Sequence, residues 1–349
     1  MHKKTEVVYS LDKEKSISKR MFEFDLLKCF AIFLVICGHS IMHLTDDNKN
    51  SNLLYQLIYS FHMPLFMTVA GFFCTNSMNL SFSKFVKKKL WQLLYPCLIF
   101  GILFFLLEVI FLNRATGSLL KYLFASFWFL KSCFICYLVL YICLKICNNR
   151  ILGGTILAIF LSQFIPIFKL PFMMPFFVLG YILNSKWESF TSHKHKLFWI
   201  SVCLFIPIFY IYINTDVIDI VDIKKRIINE GEIISIKEYL SYHSLRLIIG
   251  LIGTIVCLTL FNLIAPHIKQ FKISGYLSKV GEETLGIYIL QTIILEVFLS
   301  KYVNITHVSP YLFNLLIVPI ISLVILMLSI LIIKTINRNI IIKKLFWGK

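Results

Sequence analysis

Charged and polar residues are scarce in this chain. Only 15% of its 349 residues are Asp, Glu, Lys or Arg, whereas 58% are hydrophobic and 33 are Phe. The mean hydropathy is +0.80. A soluble fold of this size cannot hide so much apolar surface from water, which excludes a soluble domain. The sequence also lacks internal repeats and low-complexity tracts, which excludes repeat architectures.

Acidic residues are less common in this chain than basic residues. Asp and Glu together number 18 against 35 Lys and Arg, so the formal net charge is +17. In a soluble protein this excess would suggest a nucleic-acid partner. In a membrane protein, lysines instead act as topology signals and contact anionic lipid head groups. We therefore expect membrane lipids, and no nucleic acid, among the partners.

The pattern of cysteines contains no disulfide framework. All ten cysteines lie in or beside apolar segments, so we expect no disulfides. Cys133 and Cys136 have the spacing of a metal or redox pair. They continue as Cys143 and Cys147 on one predicted helix face, however, and small thiols on one face are typical of helix packing. We expect no metal at this group.

The sequence does contain about ten apolar segments, each close to the roughly 20 residues that cross a bilayer. They are residues 24–44, 53–74, 91–112, 122–144, 151–168, 170–184, 197–214, 244–264, 281–299 and 311–333. The predicted fold class is therefore all-α: a polytopic integral membrane protein with one transmembrane domain over 24–333 and basic tails at 1–23 and 334–349. The sixth segment is short and contains Pro171 and Pro175, so the fifth and sixth also fit one tight hairpin.

Basic residues orient this predicted bundle. Both tails, and the loops after the second, fourth, sixth and eighth segments, are rich in Lys and Arg, whereas the opposite loops hold few. The positive-inside rule places the lysine-rich side in the cytoplasm. We predict that both termini are cytoplasmic and that the protein is multi-pass in a bacterial inner membrane. Because a polar tail precedes the first segment, we expect that segment to anchor the chain without a cleaved leader.

The first apolar segment carries three ionisable side chains, Asp25, Lys28 and His39. Eleven residues at about 100° each place Lys28 and His39 on one helix face, about 16 Å apart along the axis. Ionisable residues are costly in lipid and usually mark a functional path. The structural alternatives are an Asp25–Lys28 pair at i, i+3 and a Lys28 side chain that reaches to the interface.

Other polar residues gather in a few of the remaining segments. His62 lies in the second segment and is followed by Pro64, Lys131 lies inside the fourth, and Tyr288 and Gln291 lie in the ninth. His39 and His43 share a helix face and, with His62, offer a metal site as an alternative. No fourth ligand is evident unless Asp46 or Asp47 contributes, so we expect no metal.

In order and spacing, these residues resemble acyltransferase family 3, the bacterial integral-membrane O-acyltransferases. An aspartate, a basic residue, ten residues and a histidine match Asp25, Lys28 and His39, and the second segment carries the matching phrases His62–Phe66 and Gly71–Phe73. Later matches are Lys89 before Pro96, Trp128-Phe129, Gly180-Tyr181 and Thr284 with Tyr288. Two positions depart from the family pattern: Gln92 stands for the second basic residue and Gln291 for the late histidine. The resemblance covers almost the whole chain.

The resemblance implies transfer of an acyl group, usually acetyl from acetyl-CoA, to a hydroxyl of a cell-surface or lipid-linked glycan. The implied partners are thus acyl-CoA, as the donor substrate, and a glycan or lipid-linked sugar. Lysines bind phosphates as point charges, and the candidate donor-binding residues are Lys28, Lys88, Lys89 and Gln92.

Four residues are the candidates for catalysis: His39, Asp25, His62 and Lys131. A hydroxyl that attacks a thioester needs a base that titrates near neutral pH, and histidine is the side chain closest to this requirement. His39 is therefore the predicted base. The developing oxyanion needs a donor, for which His62 and Lys131 are both candidates.

Two other functional classes fit the same composition. One is an exporter, flippase or polymerase of lipid-linked polysaccharide, which would also have about ten spans and a basic inner face. The other is a proton-coupled secondary transporter, but such proteins usually show pseudo-symmetric halves. Here the polar residues crowd into the first four segments, which favours the acyltransferase.

Overall fold

Every regular element in the part of the chain that the structure describes is a helix. The computed structural model describes residues 21–45, 51–112, 118–215, 236–305 and 308–348. This confirms the predicted all-α class. The predicted N-terminal tail, together with Asp46 and Asp47, lies outside the described residues except for its last three positions.

The helices are named here in chain order. The first half of the chain forms α1 (Phe22–Leu44), α2 (Leu53–Phe72), α3 (Thr75–Met78), α4 (Phe82–Lys89), π1 (Leu90–Leu94), α5 (Tyr95–Leu112), α6 (Leu119–Ala125), α7 (Trp128–Ile146), α8 (Ile151–Ser162) and α9 (Leu170–Ser185). The second half forms α10 (Trp187–Ser192), α11 (Lys194–Ile213), α12 (Ile236–Ile268), α13 (Ser274–Glu282), α14 (Thr284–Ile293), π2 (Ile294–Leu299), α15 (Ser300–Tyr302), α16 (Pro310–Leu312), π3 (Phe313–Ile317), α17 (Val318–Arg338) and α18 (Ile340–Trp347).

Eight helical segments in the described residues are long and apolar enough to cross a membrane, which confirms a multi-pass membrane protein. They are Phe22–Leu44, Leu53–Phe72, Phe82–Phe111, Trp128–Ile146, Lys194–Ile213, Leu240–Ile268, Thr284–Tyr302 and Pro310–Arg338. The predicted fifth and sixth segments form α8 and α9, which have 12 and 16 residues and are shorter than the others. These two short helices pack against each other.

The first helix occupies the centre of the bundle. It packs against α2, α12, α13, α14 and α17, and 72% of its most apolar window is buried. In α11 only 11% of the residues in the corresponding stretch are buried, so α11, which packs on α12, lies at the periphery of the bundle. The stripe of ionisable residues on α1, which consists of Asp25, Lys28 and His39, therefore faces protein and not lipid.

Glycines allow two of the helices to meet at backbone distance. A Cβ added to Gly71 of α2 would collide with the main-chain oxygen of Phe177, and one added to Gly180 of α9 would collide with the main-chain oxygen of Thr68. Small residues permit such close approach of membrane helices. Both glycines belong to the phrases that carry the family resemblance, and their role here is to join α2 to α9.

At each end of the bundle, hydrogen bonds join distant parts of the chain. At the end where α1 begins, which we call the lysine end, Asp25 is joined to Ser278. At the other end, which we call the histidine end, the amide of Ile305 donates to the carbonyl of Leu44 at 2.7 Å. The C-terminal helix α18 packs on α5 at the lysine end, where the Tyr95 hydroxyl donates to the carbonyl of Leu345 at 2.9 Å.

Candidate active site

Among the described residues, two neighbouring cavities, one toward each end of the bundle, meet at a septum formed by Val35, Met63 and Tyr288. The lysine cavity has a volume of about 250 Å³ and the histidine cavity a volume of about 430 Å³. Besides apolar residues, the lysine cavity is lined by Lys28, Lys89, Gln92, Cys133, Tyr137 and Thr284. The histidine cavity is lined by His39, Tyr59, His62, Glu108, Tyr122, Ser126, Trp128, Lys169, Thr292 and Glu296.

The stripe predicted on the first helix runs through both cavities. Lys28 lines the lysine cavity, and its Nζ lies 2.9 Å from Oδ1 of Asp25. The other carboxylate oxygen of Asp25 accepts a hydrogen bond of 3.0 Å from Ser278. Asp25 is buried, with 5% of its surface exposed, and lines neither cavity. Its position suits it to hold Lys28 in place, so the i, i+3 pair and the cavity-lining position of Lys28 coexist.

Lys89 points its charge into the lysine cavity. It is 5% exposed, and its Nζ lies 3.5 Å from the ring centroid of Tyr137. Among the described residues no carboxylate lies within salt-bridge distance of Lys89, so an anion that enters the cavity would meet a buried ammonium group without a counter-ion. Gln92, on π1, lines the same cavity. The adjacent Lys88 is exposed and lines neither cavity.

His39 lines the histidine cavity one turn inside His43. The centroids of the two imidazole rings are 6.0 Å apart. Nε2 of His43 lies 3.5 Å from a carboxylate oxygen of Glu296, which belongs to π2 on the facing helix. His39 and Glu296 line this cavity, and the imidazole of His43 lies beside them at the histidine end.

His62 also lines the histidine cavity, and its tautomer follows from its hydrogen bond. Its Nδ1 lies 2.7 Å from the carbonyl oxygen of Ile58, and a carbonyl can only accept. The Nδ1 atom therefore carries the proton, which leaves Nε2 of the neutral ring as an acceptor. His62 is 2% exposed and packs edge-on against Tyr59. In this state it is equipped to accept a proton and not to donate one to an oxyanion.

The two lysines near the histidine cavity differ in what they contact. The Nζ of Lys131 donates to the main-chain oxygens of Phe124 and Ser126, at the end of α6, and Lys131 lines neither cavity. Lys169 lines the histidine cavity, with its Nζ 4.8 Å from the ring centroid of Trp128. Lys131 thus satisfies carbonyls at a helix terminus, and Lys169 supplies the positive charge in the cavity.

The septum contains the late tyrosine of the family pattern. Tyr288 lines both cavities, whereas Thr284, one turn before it, lines only the lysine cavity. Gln291 is fully buried and lines neither cavity. Its amide nitrogen donates to the carbonyl of Tyr288 at 3.1 Å and to the hydroxyl of Thr292 at 2.8 Å. Gln291 therefore contacts two residues of the histidine cavity, Tyr288 and Thr292, without lining it.

Sequence reasoning did not select three charged residues of the histidine cavity as candidates: Glu108, Lys169 and Glu296. Glu296 lies inside the ninth apolar segment, where an acidic residue is costly, and the rule that selected His39 would have selected it too. Lys169 has a left-handed backbone, with φ of 58°, and precedes α9. Its position at the junction of two short helices gave no comparable signal.

This arrangement suits a reaction between an anionic reactant and a hydroxyl compound. The lysine cavity offers ammonium groups, and the histidine cavity offers imidazole bases with a cation nearby. The septum between them consists of a valine, a methionine and a tyrosine. A small uncharged group carried by an anionic donor could contact the imidazole side there without the anion itself crossing.

Comparison with known proteins adds a family and two relatives. Residues 21–334 match the family model of the acyltransferase domain. The chain is 28% identical over 207 residues to nodulation protein NolL of Mesorhizobium japonicum, over 54% of each chain. It is 27% identical over 210 residues to nodulation protein NolL of Sinorhizobium fredii, over 54% of this chain and 57% of that protein. The chain thus spans little more than half the length of these relatives. No solved structure matches it.

Proposed function

Because the chain belongs to the acyltransferase domain family, we propose that it transfers an acetyl group from cytoplasmic acetyl-CoA to a hydroxyl of a cell-surface or lipid-linked glycan. The observation that carries this proposal is the pair of cavities that meet at Val35, Met63 and Tyr288. One cavity is cationic and the other contains histidines, as a phosphorylated donor and a hydroxyl acceptor require.

The donor occupies the lysine cavity in this proposal. CoA carries phosphates, which lysines bind as point charges. Lys89 is buried there with a ring as its partner, and Lys28 is held at the cavity wall by Asp25. The acyl end of the donor then lies at the septum, where Tyr288 lines both cavities and the group is within reach of the histidine cavity.

The acceptor hydroxyl occupies the histidine cavity, with His39 as its base. The hydroxyl oxygen attacks the thioester carbonyl carbon while its proton passes to His39. The C–S bond breaks, and the sulfur takes up a proton and leaves as the CoA thiol. Lys169 replaces Lys131 and His62 as the candidate group for the oxyanion, because it places a cation in this cavity and the neutral His62 presents an acceptor.

Profiling of O-acetyl groups on surface and lipid-linked glycans tests this proposal. We expect these groups to disappear when the gene is deleted and to return with the wild-type gene but not with His39→Ala. Glycans that keep their O-acetyl groups but no longer reach the surface would overturn the transferase and favour the exporter. The readout identifies the acceptor as well, since the site of the lost group is observed directly.

A further inference from the structure

Three potential metal ligands converge at the histidine end of the histidine cavity. His39 and His43 are four residues apart on α1 and so project from one face. Glu296 approaches from π2, on a different helix. One ligand atom from each of these side chains lies within 4.8 Å of the other two, and the His43–Glu296 separation is 3.5 Å. The sequence suggested His62 as the third member of such a group, whereas the structure places Glu296 there.

The donor atoms of this cluster are those that zinc prefers. Zinc binds imidazole nitrogen and carboxylate oxygen at about 2.0–2.2 Å, and zinc sites with three protein ligands keep one open position, as catalytic sites do. A tetrahedron of that size places its ligand atoms about 3.3 Å apart. The ligand atoms of the cluster lie within 4.8 Å of one another, so side-chain rotations that shorten a separation by about 1.5 Å or less would bring them to that spacing. Two of the three residues, His39 and Glu296, line the cavity, so the open position would face it.

We propose that His39, His43 and Glu296 form a binding site for a divalent zinc-type ion and that the bound ion inhibits acyl transfer. The expectation that the ion inhibits rests on the proposed function, because inhibition by this route requires His39 to be the base. A coordinated imidazole nitrogen has committed its lone pair to the metal and cannot accept a proton from the acceptor hydroxyl. The binding site itself rests only on the geometry of the cluster.

Metal binding is tested on the full-length protein, purified in detergent and treated with a chelator. Titration with Co²⁺ should give one equivalent of a tetrahedral ligand-field spectrum, which added Zn²⁺ should displace. His43→Ala and Glu296→Gln should each weaken this binding at least tenfold. Glu108→Gln is the matched control, because Glu108 is a carboxylate of the same cavity outside the cluster. Binding that survives both cluster variants, or that shows a thiolate charge-transfer band, would overturn the site.

Inhibition is tested separately in an acetyl-transfer assay. Zinc should inhibit the wild-type protein, a chelator should restore its activity, and Glu296→Gln should need at least tenfold more zinc for half-inhibition of its own metal-free rate. Transfer that continues at full rate with the site filled would overturn the inhibitory role. The wild-type protein could bind metal, lose that binding in the cluster variants, and yet transfer no acetyl group. This result would support the metal site and overturn the proposed function. Acetyl transfer by a protein whose metal binding does not depend on the cluster would support the proposed function and overturn the site.

Discussion

A single imidazole on the first helix carries the proposed chemistry. His39 lines the larger cavity beside the septum, so its replacement by Ala should remove the base while leaving the bundle intact. General-base catalysis contributes on the order of 10²–10⁴ in rate, and we expect a loss of that size in acetyl transfer. The control is His195→Ala, since His195 is exposed and lines neither cavity. Normal transfer by a His39→Ala protein that inserts at wild-type yield would refute this assignment.

Variants of two adjacent lysines on α4 distinguish donor binding in the cavity from attraction by general surface charge. Lys89 is buried in the lysine cavity, whereas Lys88 is exposed outside it. Lys89→Met removes the charge and keeps most of the length of the side chain, so the KM for acetyl-CoA should rise at least tenfold while the KM for the acceptor stays constant. Lys88→Met should raise the KM for acetyl-CoA much less. An equal rise in both variants would mean that the surface field, and not the cavity, attracts the donor.

Lys28 combines a structural contact with a cavity position. Its ion pair with Asp25 at 2.9 Å fixes it at the wall of the lysine cavity. Lys28→Arg keeps the charge and should retain most of the activity, whereas Lys28→Ala should raise the KM for acetyl-CoA more than that for the acceptor. Steady-state kinetics with each substrate varied in turn measures this difference. Parallel changes in both KM values would assign Lys28 to helix packing alone.

Close contacts between helices depend on three glycines, one each on α2, α9 and α13. Gly71 and Gly180 join α2 to α9, and a Cβ on Gly281 would collide with the main chain of Asp25. Overpacking of this kind costs about 1–3 kcal/mol. Gly71→Ala, Gly180→Ala and Gly281→Ala should therefore each lower the melting temperature of the purified protein, as followed by Trp fluorescence.

Gly275 supplies the matched control for these variants. It lies in α13, like Gly281, but an added Cβ would meet nothing within 4 Å. Because Ala favours the helix over Gly by roughly 0.5–1 kcal/mol, Gly275→Ala should keep or slightly raise the melting temperature. A fall equal to that of Gly281→Ala would show that the effect comes from the helix and not from the contact with Asp25.

Local departures from α-helical geometry bring polar residues to the cavities. Gln92 lies on π1 and Glu296 on π2, and each lines a cavity. On π3, the side chain of Asn314 accepts a hydrogen bond of 2.9 Å from Asn52, which joins two distant segments. Such π turns are frequent at functional sites. They leave no simple mark in hydrophobic periodicity, so the sequence predicted the helices but not these local changes of register.

The sequence predicted the parts of the site that lie on one helix. The spacing of Lys28 and His39 is enough to put both on one face, and both line a cavity. The sequence did not predict contacts between helices. Lys131 was expected in the site but donates to main-chain carbonyls, whereas Lys169 lines the histidine cavity. Which neighbour a lysine meets depends on the tertiary packing around it, and a single sequence contains no direct record of that packing.

The bundle as a whole has a predicted sidedness on which the proposed donor depends. Acetyl-CoA is cytoplasmic, so the lysine cavity must open toward the cytoplasm, as the positive-inside rule predicts. Lys87, at the lysine end, and Ser51, at the histidine end, are both exposed and lie in segments that flank α2. In a background in which Cys147 and Cys203, the two native cysteines that are not buried, are changed to Ser, cysteine at each position reports one side.

We expect Ser51→Cys to react with a membrane-impermeant thiol reagent in intact cells and Lys87→Cys to react only after the membrane is opened. The remaining native cysteines are buried and should give a low background. Labelling in the opposite order would invert the bundle and place Lys28 and Lys89 on the side without acetyl-CoA. The family assignment would survive that result, since it rests on residues 21–334, but the CoA donor would have to be abandoned.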